Sequence, residues 1–508
     1  MKIFNRILLF TALLLTIAAC RKTDFVGELN GNIPPRTFTV VDTIFRSGDD
    51  RLTTTVAIQW WGDDPDGYIT GYEFTFDELI SPSTNWIFTS RLDSLFLLAV
   101  PAGSDTFDFS FSVRAIDNAG LRDPNPASVK YPVKNSPPVV AFIYAPNGGN
   151  PLAGGSPVVS FPAVRYSWIG NDPDGLNTLA GYELFLNDTT AIPYTLSEVF
   201  DAIILRATDL TGNISEAQVF AGNNTNPLTA RISGMLLNDT NRLYLRAVDQ
   251  SGAKSQFEVS NPIYIKKPNS RFLLVNAYGN DPNPDQNADV IDAFYEAQFA
   301  SLNITSYDKV QIFRRENNRF TRLSPDNRTQ SLVFDFFDQI VWAGPDFDYS
   351  IVFTRNTMGG FLSNGGKLLL STTAGDASPV VSNFFELSPI DSLLAVPEGT
   401  SNLLTDTSTI QPFQAGFPTL RHKGFASLVR PVRFVNGTTV LYRANILSRN
   451  NSNFQISLYQ GHRDIMGMRT NSTNGSKFVL STLELHRLNN NNNIDQLLQR
   501  ILITEFGL

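Results

Sequence analysis

The chain has one cysteine in 508 residues, Cys20, and three histidines, His422, His462 and His486. A single thiol excludes internal disulfides and a multi-thiolate metal site, so stability must come from packing. Three imidazoles leave few candidates for general-base chemistry or for zinc. No Lys/Arg run offsets the net charge of −8, and without the first nineteen residues, which carry Lys2 and Arg6 but no acid, the remainder stands at −10. A nucleic acid or an anionic lipid surface would need a basic patch to release its counterions, so no nucleic-acid partner is expected. Beyond the amino terminus, no stretch approaches the ~18 uninterrupted apolar residues of a membrane-spanning helix. What is present is ordinary for folded protein, 42% hydrophobic and 17% charged residues, in a chain long enough for about three or four domains.

The amino terminus carries the most specific signal. Lys2 and Arg6 precede a largely apolar run, Ile7 to Ala19, which is too short for a bilayer span and reads as the middle of a secretory signal. The ending "IAAC", Ile17 to Cys20, resembles the lipobox of bacterial lipoproteins. The resemblance implies that residues 1–19 are a signal peptide and that Cys20 is acylated and becomes the first mature residue. Several acyl chains would anchor the protein to a membrane that it does not cross. Arg21, rather than aspartate, follows the cysteine. By the same resemblance this favours the outer membrane, on its periplasmic or its exposed side. Residues 20–35, including the polar "DFVGELNGNIPP", read as a tether.

Next comes a duplication. "WWGDDPDGYITGYEF" from Trp60 returns as "WIGNDPDGLNTLAGYEL" from Trp168, and "VRAIDNAG" from Val113 returns as "LRAVDQSG" from Leu245. The first pair is offset by 108 residues and the second by 132, so the second copy holds 24 extra residues, placed mostly within Asn187 to Leu237. Period-two alternation, with Phe107, Phe109, Phe111 and Val113 on one face, predicts half-buried strands. The order "W…DPDG…GYE…RAxDxxG" resembles fibronectin type III modules over residues 36–134 and 135–267. In that resemblance Trp60, Trp168, Tyr72 and Tyr182 pack the cores of two all-β sandwiches, the second with an insertion, and the pair serves as a stalk. "DPDG" has adjacent acids, a stiffening proline and a glycine placed for positive φ, which is turn chemistry. A calcium loop, which needs alternating acids and six or more oxygens, is the alternative reading.

After Ser270 the pattern changes. Strand-like "RFLLVNAY", "FDQIVWAG" and "KLLLSTTAG" alternate with helical "ADVIDAFYEAQFASLN" and "SIVFTRNTMGGFLSNGG", and "KFVLSTLELHRL" and "IDQLLQRILITEF" end the chain. Such alternation predicts an α/β three-layer domain with a mostly parallel sheet over residues 268–508, irregular between Asn383 and Arg443. It resembles the class I glutamine-amidotransferase-like fold, whose catalytic members carry a cysteine on a strand-to-helix elbow. Here that elbow, "STTAG", has Thr373 at the matching position, with His486 as the topological candidate for its base and Glu484 as an orienter. The other reading of these three is structural. His462 and Asp464 in "GHRD" are too few for a metal site, and no cofactor is implied.

Two functions follow from this reading. One is a lipid-anchored envelope protein, not an enzyme, that binds or scaffolds an envelope protein or glycan. Its ligand would meet the carboxyl ends of the parallel strands near Asn276 to Asp281, Gly344 to Asp346 and Thr372 to Asp376. The alternative is an envelope hydrolase or transferase acting on a glycan or peptide. Cys20→Ser tests the anchor: the variant should no longer sediment with vesicles or incorporate labelled palmitate, and retention of either disproves acylation at this sulfur.

Overall fold

In the computed structural model the described residues are 31–40, 55–98, 100–101, 104–143, 159–174, 178–279, 281–312, 326–374, 386–406, 408–427 and 429–508. The expected signal peptide and Cys20 lie outside them, as does most of the tether. The chain forms two compact units, Met1–Ser136 and Pro137–Leu508.

The first unit is a β-sandwich. A three-stranded sheet of Arg36–Thr39, Thr55–Asp63 and Asp93–Leu97 faces a four-stranded one of Ile87–Thr89, Ile69–Thr75, Thr106–Asp117 and Ala127–Lys134, with antiparallel pairing throughout. Trp60 fills the space between the sheets, its ring 5.6 Å from Phe111 and 6.4 Å from Tyr72. The expected alternation holds only in part of its long strand. Phe111 and Val113 are buried, but Phe107 is 42% exposed because the strand outruns the core and Phe107 packs on Phe109 instead.

The second unit begins with another sandwich, in which Trp168 and Tyr182 repeat the edge-on contact at 5.4 Å. The charges repeat as well. Glu73 binds Arg114 and Arg122 at 2.7 and 3.0 Å, and Glu183 binds Arg246 and Lys254 at 2.6 and 2.7 Å. Burial alone would raise both carboxyls, yet the paired cations hold them below the usual range. The "GYE" and "RAxD" phrases are therefore a core aromatic and a cross-strand ion pair. Most of the extra residues form a hairpin, Ile214–Ala221 with Arg231–Leu236, which widens one sheet to five strands.

That hairpin alters the role expected of the module. Phe161, Ala163, Ile204 and Phe220 lie in one buried cluster with Leu332, Val333, Phe336 and Phe337 of the carboxy-terminal part. Phe161 meets Phe337 edge-on at 5.3 Å, and the Arg206 and Arg328 guanidiniums lie over the Phe336 and Phe220 rings. The second module is not a free spacer. It shares a core with the carboxy-terminal part.

The carboxy-terminal sheet has nine strands and is mixed, where a mostly parallel one was expected. Asp308–Gln311, Phe272–Asn276, Gln339–Ala343, Lys367–Ser371 and Lys477–Ser481 are parallel. Asp464–Thr470, Thr439–Ala444, Thr409–Pro412 and Leu420–Arg421 continue the sheet antiparallel. The antiparallel half comes largely from the stretch expected to be irregular, whose strands of two to six residues are too short for a clear period. Residues alternate between the two faces along strand Phe272–Asn276. Phe272 and Leu274 meet helix Ala288–Ser301 and the carboxy-terminal helical segment from Ile494, whereas Leu273 and Val275 meet helices Asn327–Phe334 and Phe347–Thr357. Asn287, Asp326 and Asp346 cap the helix starts by accepting from main-chain N–H groups two or three residues on.

Phe220 is 4% exposed within the shared core. Phe220→Ala should therefore cost about 3–5 kcal/mol. Urea denaturation should show the second module and the carboxy-terminal part losing structure in one shifted transition, and a separate transition for the module would contradict a shared core.

Candidate functional site

The four central parallel strands end in one row, with Asn276, Ala343, Ser371 and Ser481 aligned in register. Ala277, Gly344 and Thr372 each carry the ladder one bond farther by donating to the neighbouring strand. The residues just beyond them share one edge, as expected for the loops of Asn276 to Asp281, Gly344 to Asp346 and Thr372. Residues 280 and 375–385 lie outside the described set, so the expected loop Thr372 to Asp376 is described only to residue 374.

At this edge stands a buried polar cluster drawn from separate parts of the chain. Glu484, 4% exposed, accepts at Oε1 from the Tyr278 hydroxyl and from Gln286 Nε2, both at 3.0 Å, and its Oε2 lies 3.5 Å from Arg487. Burial raises the Glu484 carboxyl in spite of these partners, and it raises the Tyr278 phenol, which stays protonated and donating. Arg487 also donates to the Phe425 carbonyl at 2.6 Å. The Leu485 N–H donates to Ser371 Oγ at 2.9 Å, tying this loop to the strand end.

The two histidines here are neutral. His486 Nε2 is 3.1 Å from the Asp285 main-chain oxygen and His422 Nδ1 is 3.2 Å from that of Gly424, so each nitrogen carries the proton it donates. Burial pushes both down to about 4, with the Arg487 charge adding to the effect. The His486 ring packs edge-on against Tyr278 and Phe294.

Of the three expected site residues, Glu484 and His486 come to this edge but serve different partners, and Glu484 does not orient the imidazole. Thr373 is half-buried, and no hydrogen bond among the described residues joins it to either. Three polar atoms here are buried without hydrogen-bond partners among the described residues, Thr372 Oγ1, the Tyr295 hydroxyl and Arg487 Nε. Sequence reasoning missed Asp285, Gln286, His422 and Arg487, which arrive from three distant loops and carry no common spacing; Tyr278 lies within the expected Asn276 to Asp281 stretch, where no role was assigned to it. Asp464 is held by its cross-strand partner Arg443 at 2.5 Å and by His462 at 3.0 Å. Among the described residues no group of three or more His, Cys, Asp or Glu side chains is set to hold a metal ion. A cleft of about 360 Å³ lined by Arg271, Asp338, Gln339 and Lys367 opens at the opposite, amino ends of the strands.

The "DPDG" stretches do join strands, as expected of a turn. Gly67, however, does not take the left-handed backbone that was expected of it. It is glycine because a Cβ there would stand 2.1 Å from Asn118 Oδ1 and 2.5 Å from Asp64 Oδ2. Gly175 lies outside the described residues.

No protein-family model and no curated protein matches the chain. Solved structures do. The fibronectin(III)-like modules of Clostridium thermocellum CbhA are 11% identical, covering 46% of this chain and 94% of that one, with a TM-score of 0.16. A two-domain fibronectin type III segment of chicken tenascin is 13% identical, covering 46% and 99%, with a TM-score of 0.20. Chicken CNTN1 FN1–FN3 is 10% identical, covering 47% and 69%, with a TM-score of 0.18.

The histidines give the stability a direction with pH. Each binds its proton near 6.5 when unfolded and near 4 when folded, so the unfolded chain takes up more protons between these values. Stability is fully present above about pH 6.5 and is lost as pH falls to about 4, by about 3 kcal/mol for each histidine. His486→Gln should remove about half of this dependence in denaturant titrations of the full chain. An unchanged slope would mean that His486 is not held neutral.

Proposed function

We propose that the protein is a bacterial envelope lipoprotein, anchored at the outer membrane through acylated Cys20, and that it works as a non-catalytic binding or scaffold protein. In this reading residues 268–508 are a three-layer α/β domain of the glutamine-amidotransferase-like type without the catalytic cysteine, and the two fibronectin-like sandwiches carry it. The observation that supports a non-catalytic role is the way the edge groups are occupied. Glu484 is tied to Tyr278, Gln286 and Arg487, and the His486 ring donates to a main-chain oxygen. A threonine hydroxyl at Thr373 needs a base within about 3 Å to attack, and neither group is hydrogen-bonded to it. The ligand, an envelope protein or glycan, would meet the strand ends, where open sheets with parallel strands usually bind. No cofactor and no nucleic acid enter the reading.

The shared core decides how this is tested. Removing residues 268–508 alone would strip the second module of its apolar cover, so the cut belongs after Ser136. The full chain from residue 21 and the segment 21–136 are immobilised and offered detergent-solubilised envelope and its glycan fraction. Capture by the full chain, lost in the shorter one, is expected. Release of glycan or peptide fragments by the wild-type chain but not by Thr373→Ala would overturn the non-catalytic reading in favour of the hydrolase or transferase.

A further inference from the structure

The duplicated turn does more than reverse the chain. In the second module it brings Asp172, Asp174 and Asp249 together in the interior, at 3%, 0% and 2% exposure. Asp249 belongs to the "RAVD" strand end, which pairs with the strand after the turn. Asp172 Oδ1 accepts from the Asp174 N–H at 2.9 Å, whereas its Oδ2, also buried, has no hydrogen-bond partner among the described residues. A bare carboxylate oxygen in the interior costs several kcal/mol unless something positive meets it. No lysine or arginine is among the groups that shift Asp172. Burial, and the charges of Asp174 and Asp249, push its carboxyl above the usual range, while the Asp174 N–H and Thr178 hydroxyl pull the other way.

The first module repeats the arrangement at the equivalent atoms. Asp64 Oδ2 is again buried and unpartnered, and burial together with Asp66 and Asp117 raises its carboxyl. It converges with Asn118 Oδ1 on the space that a Cβ at Gly67 would fill. Here the neighbouring acids are partly occupied: Asn32 Nδ2 donates to Asp117 and the Ile33 N–H to Asp66. One orphaned oxygen is an accident that a fold can tolerate. The same orphan in both copies is a repeated feature of the two modules, and a proton or a cation would neutralise it.

We propose that Asp172 of the second module is a direct ligand, through Oδ2, of a calcium-class divalent cation. The three carboxylates do not converge closely enough to share one ion as they stand. The site therefore uses Asp172 with one of its acidic neighbours and completes its shell with main-chain carbonyls and water, the mixed oxygen set that calcium accepts and magnesium's strict octahedron disfavours.

Hydrogen exchange on the full chain, with calcium or magnesium against a chelator, tests the site where it lies. Extracellular calcium modules bind with constants of about 0.1–1 mM, so about 10 mM calcium should slow exchange of peptides spanning 172–186 and 243–253 by about tenfold or more. Asp172→Asn should abolish the effect, and magnesium should give much less. If that variant does not fold, Asp174→Asn takes its place. No slowing in the wild type overturns the proposal and leaves a proton as the group that neutralises Asp172. Slowing that persists in the variant, or equal slowing by magnesium, overturns it too.

Discussion

The apolar contact between the second sandwich and the helix Asn327–Phe334 is the constraint on which the larger unit depends. Phe161, Ile204 and Phe220 on one side, and Leu332, Phe336 and Phe337 on the other, exclude water from a surface that neither partner could leave exposed. Charges are buried along with them. Arg206 is desolvated and its guanidinium is pulled down by burial, and Asp335 is raised by burial although Arg206 and Arg328 favour its charge. Such groups are tolerable only in fixed mutual positions, so they act on orientation more than on stability. A duplicated module has thus become one wall of a different domain. The inserted hairpin, which brings Phe220, is the means.

The same trade governs the strand-end cluster. Glu484 meets Tyr278 and Arg487 in a setting that keeps two histidines neutral, with Tyr278 supplied by one loop and Glu484 and Arg487 by another. A network of this kind holds loops firmly because losing any one member leaves another buried and unsatisfied.

Much of this was legible in the residues. The tryptophans, the "GYE" and "RAxD" phrases and the offset between copies indicate two sandwiches and locate the insertion, because period-two burial and a repeated phrase are local signals. Helix Ala288–Ser301 was readable from its apolar spacing. The antiparallel half of the carboxy-terminal sheet was not. Its strands are short, and pairing Thr439–Ala444 with Asp464–Thr470 is decided by partners some twenty-five residues away. His486 and Glu484 were visible as candidates, yet their partners Asp285 and Gln286 lie about two hundred residues earlier with nothing in their spacing to announce it.

The order of elements, the duplication, the scarcity of thiols and imidazoles and the acidic balance belong to the sequence itself, since each is a matter of composition or short-range period. Only the tertiary structure decided that the second module is a structural partner rather than a spacer, that Glu484 and His486 face different neighbours, and that an aspartate oxygen is left bare at the same place in both copies. Those outcomes depend on which surfaces exclude water from which others, and burial is a property of the whole packed chain.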